Sequence, residues 1–263
     1  MPVAAVNGQQ IYYADSGGDG PVIIWSHGYL MDHTMFDLQV DAFSSQYRCV
    51  AWDERGFGGT PAPEPFTYWD SAEDAIALLD FLGVEQAVFA GMSQGGFLSL
   101  RAALRHPERV RALVLIDSEP GVDPPELNAE RGAMVDLWLS DQPLGDVGTF
   151  VADLILGDPA LNEVWIAEWE RRRVGQVEAD VRNPAHTLFT RDDITDRMPE
   201  LSMPVLSIHG ENDQSIAIER AEELQAAVPD GRGLVRVPGA AHAPNMTHPD
   251  VVNRAIAEFL ESL

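Results

Sequence analysis

The sequence predicts an α/β fold, a mostly parallel eight-stranded sheet flanked by helices, with a helical insertion after the sixth strand. Three observations carry this expectation. Short apolar runs alternate with helical patterns along most of the chain, as strands joined by crossover helices do. The alternation stops between about Ser118 and Met203, where helical stretches follow one another without a convincing strand, and then resumes. A Gly91-x-Ser93-x-Gly95 turn lies between an apolar strand and a helical segment, the setting of a nucleophile on a sharp elbow.

The elements follow in order. "VAAV" and "QIYYAD" flank Asn7-Gly8, a strong hairpin signal. "PVIIWSHG" is a short apolar run ending in glycine, as expected of a strand buried on both faces. A helical pattern around Thr34 to Gln46 precedes the strand "RCVAWD". "SAEDAIALLDFLG" reads as a helix with Ser71 as N-cap, acids in its first turn and a terminal glycine. The strand "QAVFAGM", a helix from Gln94 to about His106 and the strand "VRALVLID" complete the first part. Helical stretches such as "ELNAERGAMVDLWLS" and "PALNEVWIAEWERRR" fill the insertion. "PVLSIHG", a helix near Ile216 to Val228, "GLVRVPG" and a helix from Pro249 close the chain. The expected division is a core of residues 1–117 and 204–263 with a helical cap over 118–203. Ligands bind at the carboxyl ends of strands in open α/β sheets, so an insertion leaving one strand end roofs that site.

Composition narrows the function classes. With 42 acidic against 17 basic residues, all of the latter arginine, the formal charge is −25. Nucleic acid and anionic membrane surfaces are disfavoured as partners. The single cysteine, Cys49, cannot form an internal disulfide or a thiolate cluster, and its strand context reads as core. "MPVAAVNGQQ" has neither a basic start nor a long apolar run, so a cytoplasmic location is expected. The sequence accommodates a homo-oligomer without specifying one.

Ser93 requires a base, an acid and an oxyanion hole. Of seven histidines, His242 in "VPGAAHAPNMTHP" follows the last predicted strand, at the sheet end that carries Ser93. It is the candidate general base. His248 reads as a surface or capping residue and His209, inside "LSIHG", as a core histidine. Asp213 in "HGENDQSI" follows the neighbouring strand and is the candidate acid, with Glu211, Asp117 and Glu119 as alternatives. The order Ser93, Asp213, His242 suits such a triad. Oxyanion donors are the backbone N–H of Gln94, after the nucleophile, and of Tyr29, in the turn "HGYLMDH". Met31 and Met92 suit an apolar wall, and Trp138 and Trp165 are candidate substrate contacts. Packing is the competing role for Trp165 and Trp169. Arg171, Arg172 and Arg173 fan around a helix and read as a solvated face. "DERGFGGT" lacks the ending of a phosphate loop and reads as a turn. No metal-ligand spacing occurs on one element.

The segments "HGYLMDHTMFD", "WDERGFGGT", "GMSQGGFLSL", "HGENDQ" and "GAAHAPNMTHPD" together resemble the α/β-hydrolase fold superfamily over nearly the whole chain. Within it the chain most resembles compact bacterial esterases and lactonases of the 3-oxoadipate enol-lactonase type. The resemblance implies a four-helix-type cap, no cofactor and no metal. Ser93 stands where epoxide hydrolases and haloalkane dehalogenases carry aspartate. The expected activity is hydrolysis of a small carboxylic ester or lactone through an acyl-enzyme. Cofactor-free perhydrolysis, carbon–carbon bond hydrolysis and a ligand-sensing receptor with slow turnover are the alternatives.

Overall fold

A computed structural model describes residues 2–124, 126 and 128–263, and of residues 128–131 the backbone alone. Leu127, inside the predicted stretch "ELNAERGAMVDLWLS", and Met1, at the head of the N-terminal segment, lie outside the described residues.

Eight strands form one sheet in the order β1-β2-β4-β3-β5-β6-β7-β8. β1 (Val3–Val6) and β2 (Gln9–Asp15) form the antiparallel hairpin, and β2 is antiparallel to β4 (Arg48–Trp52). Asn7 and Gly8 both have positive φ, 48° and 73°, as the tight turn with the twist of its strands requires. β3 (Val22–Ser26), β4, β5 (Ala87–Met92), β6 (Val110–Ile116), β7 (Val205–Gly210) and β8 (Gly231–Val237) are parallel. The inner strands β3, β5 and β6 lack an exposed polar face because both faces are covered, whereas β8, at the sheet edge, exposes Arg232 and Arg236. Along β5, Phe89 packs into one core while Val88 and Ala90 enter the other; along β6, Leu113 and Leu115 alternate with Val114 and Ile116.

Helices α1 (Asp37–Phe43), α2 (Tyr68–Phe81) and α3 (Gln94–Arg105) connect the first parallel strands. α2 begins earlier than the Ser71 cap predicted. Thr67 is its N-cap, with a reciprocal capping box in which Thr67 N–H donates to Asp70 at 2.8 Å. This box satisfies two N–H groups at once and brings Tyr68 and Trp69 into the helix, while Ser71 is buried in it. Four helices, α4 (Asn128–Leu139), α5 (Gly145–Ile155), α6 (Pro159–Arg173) and α7 (Glu178–Phe189), lie between β6 and β7. α8 (Ile218–Ala227), the short α9 (Pro244–Thr247), which the pattern did not signal, and α10 (Pro249–Glu261) follow. α10 buries Val252, Ile256, Phe259 and Leu260, one face at helical spacing. Among the described residues no helix is long and apolar enough to cross a membrane.

Candidate active site

Ser93 follows β5 directly and caps α3 with φ 51° and ψ −116°. A serine pays roughly 1–3 kcal/mol for such a conformation and keeps it only where its surroundings enforce it. Ser93 N–H donates to Ile116 O at 2.9 Å, and Ser118 Oγ donates to Ser93 O at 2.9 Å. The glycines permit the close approach. A Cβ on Gly91 would meet the Gly95 carbonyl, one on Gly95 the Ser26 carbonyl, and one on Gly96 the Ser118 side chain. Gly95→Ala therefore forces backbone against backbone, and overpacking of this kind costs about 1–3 kcal/mol. The expected result is a lowered melting temperature, together with a shift of the Gln94 N–H that begins α3. Thermal unfolding of the purified variant against wild type checks it.

Three of the four described non-glycine residues with positive φ, Leu30, Ser93 and Asp117, stand at the carboxyl ends of parallel strands. His242 and Asp213 reach the same end. His242 Nδ1 is 2.7 Å from Asp213 Oδ2. Asp213 Oδ1 accepts from Ser215 N at 2.7 Å and Ile216 N at 3.2 Å, which aims the carboxylate. Burial opposes its ionisation, yet the His242 imidazole, with hydrogen bonds from His209 and His242, holds the carboxyl well below the usual range. An ionised carboxylate only accepts, so the proton of neutral His242 lies on Nδ1 and Nε2 has a free lone pair.

Of the alternative acids, Glu211 is exposed. Glu119 is engaged by Arg191 at 3.0 Å and Arg220 at 3.2 Å. Asp117 is fully buried beside Asp213 and His242, and its Oδ1 accepts from Gly210 N at 2.9 Å. Burial first, and the Asp213 charge second, push its carboxyl well above the ordinary carboxylate range. Between the unfolded value, near 3.9, and that raised folded value, the folded state holds the extra proton. Stability from this group is therefore present at low pH and lost as pH rises through the window. Asp117→Asn removes the titration while keeping an acceptor for Gly210. Its melting temperature relative to wild type is expected to climb between pH 5 and pH 8, and a constant difference would contradict the protonated state.

His209 was read as a core histidine. It is fully buried, but its Nε2 also lies 3.3 Å from Asp213 Oδ2 while its Nδ1 has no partner. It is thus a second ring against the candidate acid, which its position four residues before Asp213 at a strand end could have signalled. His248 is half-buried, with Nδ1 2.9 Å from Thr247 Oγ1.

The turn after β3 is held by His27, whose Nδ1–H donates to Gly28 O at 2.8 Å while Nε2 accepts from Glu54 N at 3.0 Å. Burial lowers the His27 pKa, in keeping with a neutral ring. Met31 N–H donates to Gly28 O at 3.2 Å, closing the turn that carries Tyr29. Gln94 is the first residue of α3, where a helix leaves its N–H groups unpaired. Its side chain accepts from Tyr68 Oη at 3.1 Å. Glu54, in the loop read as a turn, is buried, and burial raises its pKa well above normal.

Ser93 and His242 open into one cavity of about 220 Å³. Tyr29, Met31 and Met92 line it from the sheet side; Trp138, Val151 and Trp169 line it from α4, α5 and α6. Met31 and Trp138 are thus brought to Ser93, whereas Trp165 is not. Trp165 packs on Trp169, with ring centres 6.3 Å apart, and lies under the Arg172 guanidinium. Trp169 does line the cavity, and its Nε1–H donates to Leu30 O at 2.9 Å. The arginine triplet is not uniformly solvated. Arg171 is, but Arg172 pairs with Asp32 at 2.8 Å, and Arg173 is 7% exposed. Arg173 donates to the carbonyls of Leu137, Trp138 and Ser140 at the end of α4, where a helix dipole favours a cation.

Two sets of described residues bring three donors within 4.8 Å, Asp32–His33–Asp53 and Asp117–Asp213–His242. Asp53 already accepts from His33 N, His33 Nδ1 and Gly59 N, and Asp32 from Thr34 and Arg172. In the first set, N–H groups therefore hold the lone pairs that a cation would need.

The arrangement supplies a hydroxyl at a helix N-terminus, an imidazole oriented by a carboxylate, and an apolar chamber, the requirements of acyl transfer. Comparison with known proteins agrees with this fold. The chain is 26% identical over 279 residues to a bifunctional esterase/perhydrolase of Acinetobacter calcoaceticus, covering 99% of each. It is 29% identical over 278 residues to a non-heme chloroperoxidase of Streptomyces lividans, again covering 99% of each. Its structure matches the enol-lactonase of Burkholderia xenovorans LB400 with a TM-score of 0.88 and 25% identity, over 99% of this chain and 100% of that one. A family model described as the alpha/beta hydrolase fold matches residues 21–249. The chain belongs to the alpha/beta hydrolase fold family.

Proposed function

We propose that the protein is a serine hydrolase of small carboxylic esters or lactones, with Ser93 as nucleophile, His242 as general base and Asp213 as its orienting acid. The observation that carries this reading is the strained Ser93 elbow opening into the same cavity as His242, whose Nδ1 stands 2.7 Å from Asp213. Ser93 Oγ attacks the carbonyl carbon as His242 Nε2 takes its proton. The oxyanion is held by Gln94 and Tyr29 N–H. The imidazolium then protonates the leaving alkoxide, and the ester of Ser93 is hydrolysed by water activated at the same nitrogen. The helices of residues 118–203 act as a cap that excludes bulk water.

The test is hydrolysis of short acyl esters and lactones by wild type and by Ser93→Ala. Multiple turnovers in wild type and background rates in the variant are expected. Turnover that survives the substitution refutes the nucleophile. A perhydrolase reading is favoured by one specific observation, the similarity to an esterase/perhydrolase. Peracid formation from a carboxylic acid and hydrogen peroxide, at a rate exceeding ester hydrolysis, would select it.

A further inference from the structure

We infer that the acyl chain this site accepts is an uncharged hydrocarbon chain, and that Arg191 in the cavity wall is a structural strap rather than a receptor for a substrate carboxylate. The inference rests on the serine hydrolase reading above. In an acyl-enzyme the acyl group is bonded to Ser93 Oγ. Of the two cavities described, Ser93 lines only the one shared with His242. Whatever the acyl carbon carries must therefore lie in that chamber.

Among the described residues lining it Arg191 is the one arginine, and there is no lysine in the chain. A guanidinium at the wall of an apolar pocket invites the role of carboxylate clamp, but most of its donors are engaged inside the protein. Nε–H donates to Gly121 O at 3.0 Å, and Nη1 donates to Leu188 O at 2.9 Å and to Asp123 Oδ2 at 3.2 Å. Nη2 donates to Glu119 Oε1 at 3.0 Å. Four of the five guanidinium N–H groups thus have protein acceptors. The side chain is 3% exposed, and its guanidinium carbon lies 4.5 Å from the Phe97 ring centre.

Charge is balanced as well as hydrogen bonding. Glu119 and Asp123 face Arg191, and the second cation on Glu119, Arg220, points to the outside and is 44% exposed. The contacts tie the segment after α7 to the loop after β6, which is a folding role. The rest of the wall contributes Met92, Val147, Leu154, Ile155 and similar side chains. A carboxylate driven into this chamber would lose its water and find Asp123 on the wall, with no free cation among the described side chains that line it.

The test compares 4-nitrophenyl hexanoate with the mono-4-nitrophenyl ester of adipic acid, which has the same six-carbon acyl chain ending in a carboxylate. Wild type is expected to cleave the neutral ester with a kcat/KM at least about 100-fold higher. Asp123→Asn removes one of the two anions balancing Arg191 and should narrow that ratio at least about fivefold. A ratio below about tenfold in wild type would overturn the inference. So would a ratio that Asp123→Asn leaves unchanged, since charge balance would not be its cause. The neutral ester run with Ser93→Ala separates the two failures. Loss of Ser93-dependent turnover on every ester removes the hydrolase reading and this inference with it. Ser93-dependent turnover without discrimination removes the inference alone.

Discussion

Ser93→Ala is expected to lower ester hydrolysis by roughly 10⁴- to 10⁶-fold without loss of the fold. The two consequences separate because the serine hydroxyl contributes little to packing. The backbone supplies the structural contacts, Ser93 N–H to Ile116 O and the Ser93 carbonyl to Ser118 Oγ and the first turn of α3. Alanine keeps all of them, although it also inherits the φ of 51°. What it removes is the hydroxyl proposed as the nucleophile. Residual rate over water, about 10³-fold, comes from the oxyanion donors and from binding. Measured kcat on a neutral 4-nitrophenyl ester, with circular dichroism to verify folding, decides the matter. A variant within tenfold of wild type refutes the assignment.

Asp213→Asn should cost roughly 10⁴-fold in kcat, far more than the same exchange at either alternative acid. Asparagine fits the site, but its amide presents either an N–H or an oxygen toward His242. An N–H facing Nδ1 places the imidazole proton on Nε2, the nitrogen that must receive the serine proton. Even with the oxygen facing, no negative charge remains to stabilise the imidazolium. Glu119→Gln leaves the His242–Asp213 contact of 2.7 Å intact and should act on stability, through Arg191 and Arg220, more than on kcat. Asp117→Asn likewise should change kcat far less than Asp213→Asn. The ranking of the three variants in kcat at pH 8 is the readout, and a larger loss at Asp117 than at Asp213 would move the acid to β6.

The sequence made the fold legible because its signals are local. Continuous apolar runs such as "VIIW" and "ALVLI" are short and bounded by turn residues or charged positions, as strands covered on both faces are, and helical periodicity separates them. Asn7-Gly8 and Gly91-x-Ser93-x-Gly95 have backbone requirements that few other residues meet. The helix boundary at Thr67 was missed because Ser71 offers the same capping chemistry. Only the reciprocal Asp70 contact distinguishes them.

Pocket residues were less legible. Trp165 and Trp169 occupy one helix face four residues apart, and no pattern tells which ring meets the chamber. The difference arises from the Leu30 carbonyl, which takes the Trp169 N–H from a turn 139 residues away. Arg173 read as solvated because three successive arginines normally are, yet the end of α4 lies over it. Glu54 gave no signal at all, since a glutamate in a glycine-rich loop reads as exposed, and its burial follows from a fold that sets its N–H on His27.

The sequence by itself determined the class of fold, the interruption after the sixth strand and the candidates Ser93, Asp213 and His242 at strand ends. All three follow from residue type, short-range order and position at a strand end. Tertiary structure decided which acid faces His242, which tryptophan faces Ser93 and whether Arg191 is free to meet a ligand. Those outcomes depend on contacts between segments more than 25 residues apart, such as His242 with Asp213 and Arg191 with Glu119. Distances of this kind are set by how the layers pack, which no local pattern encodes.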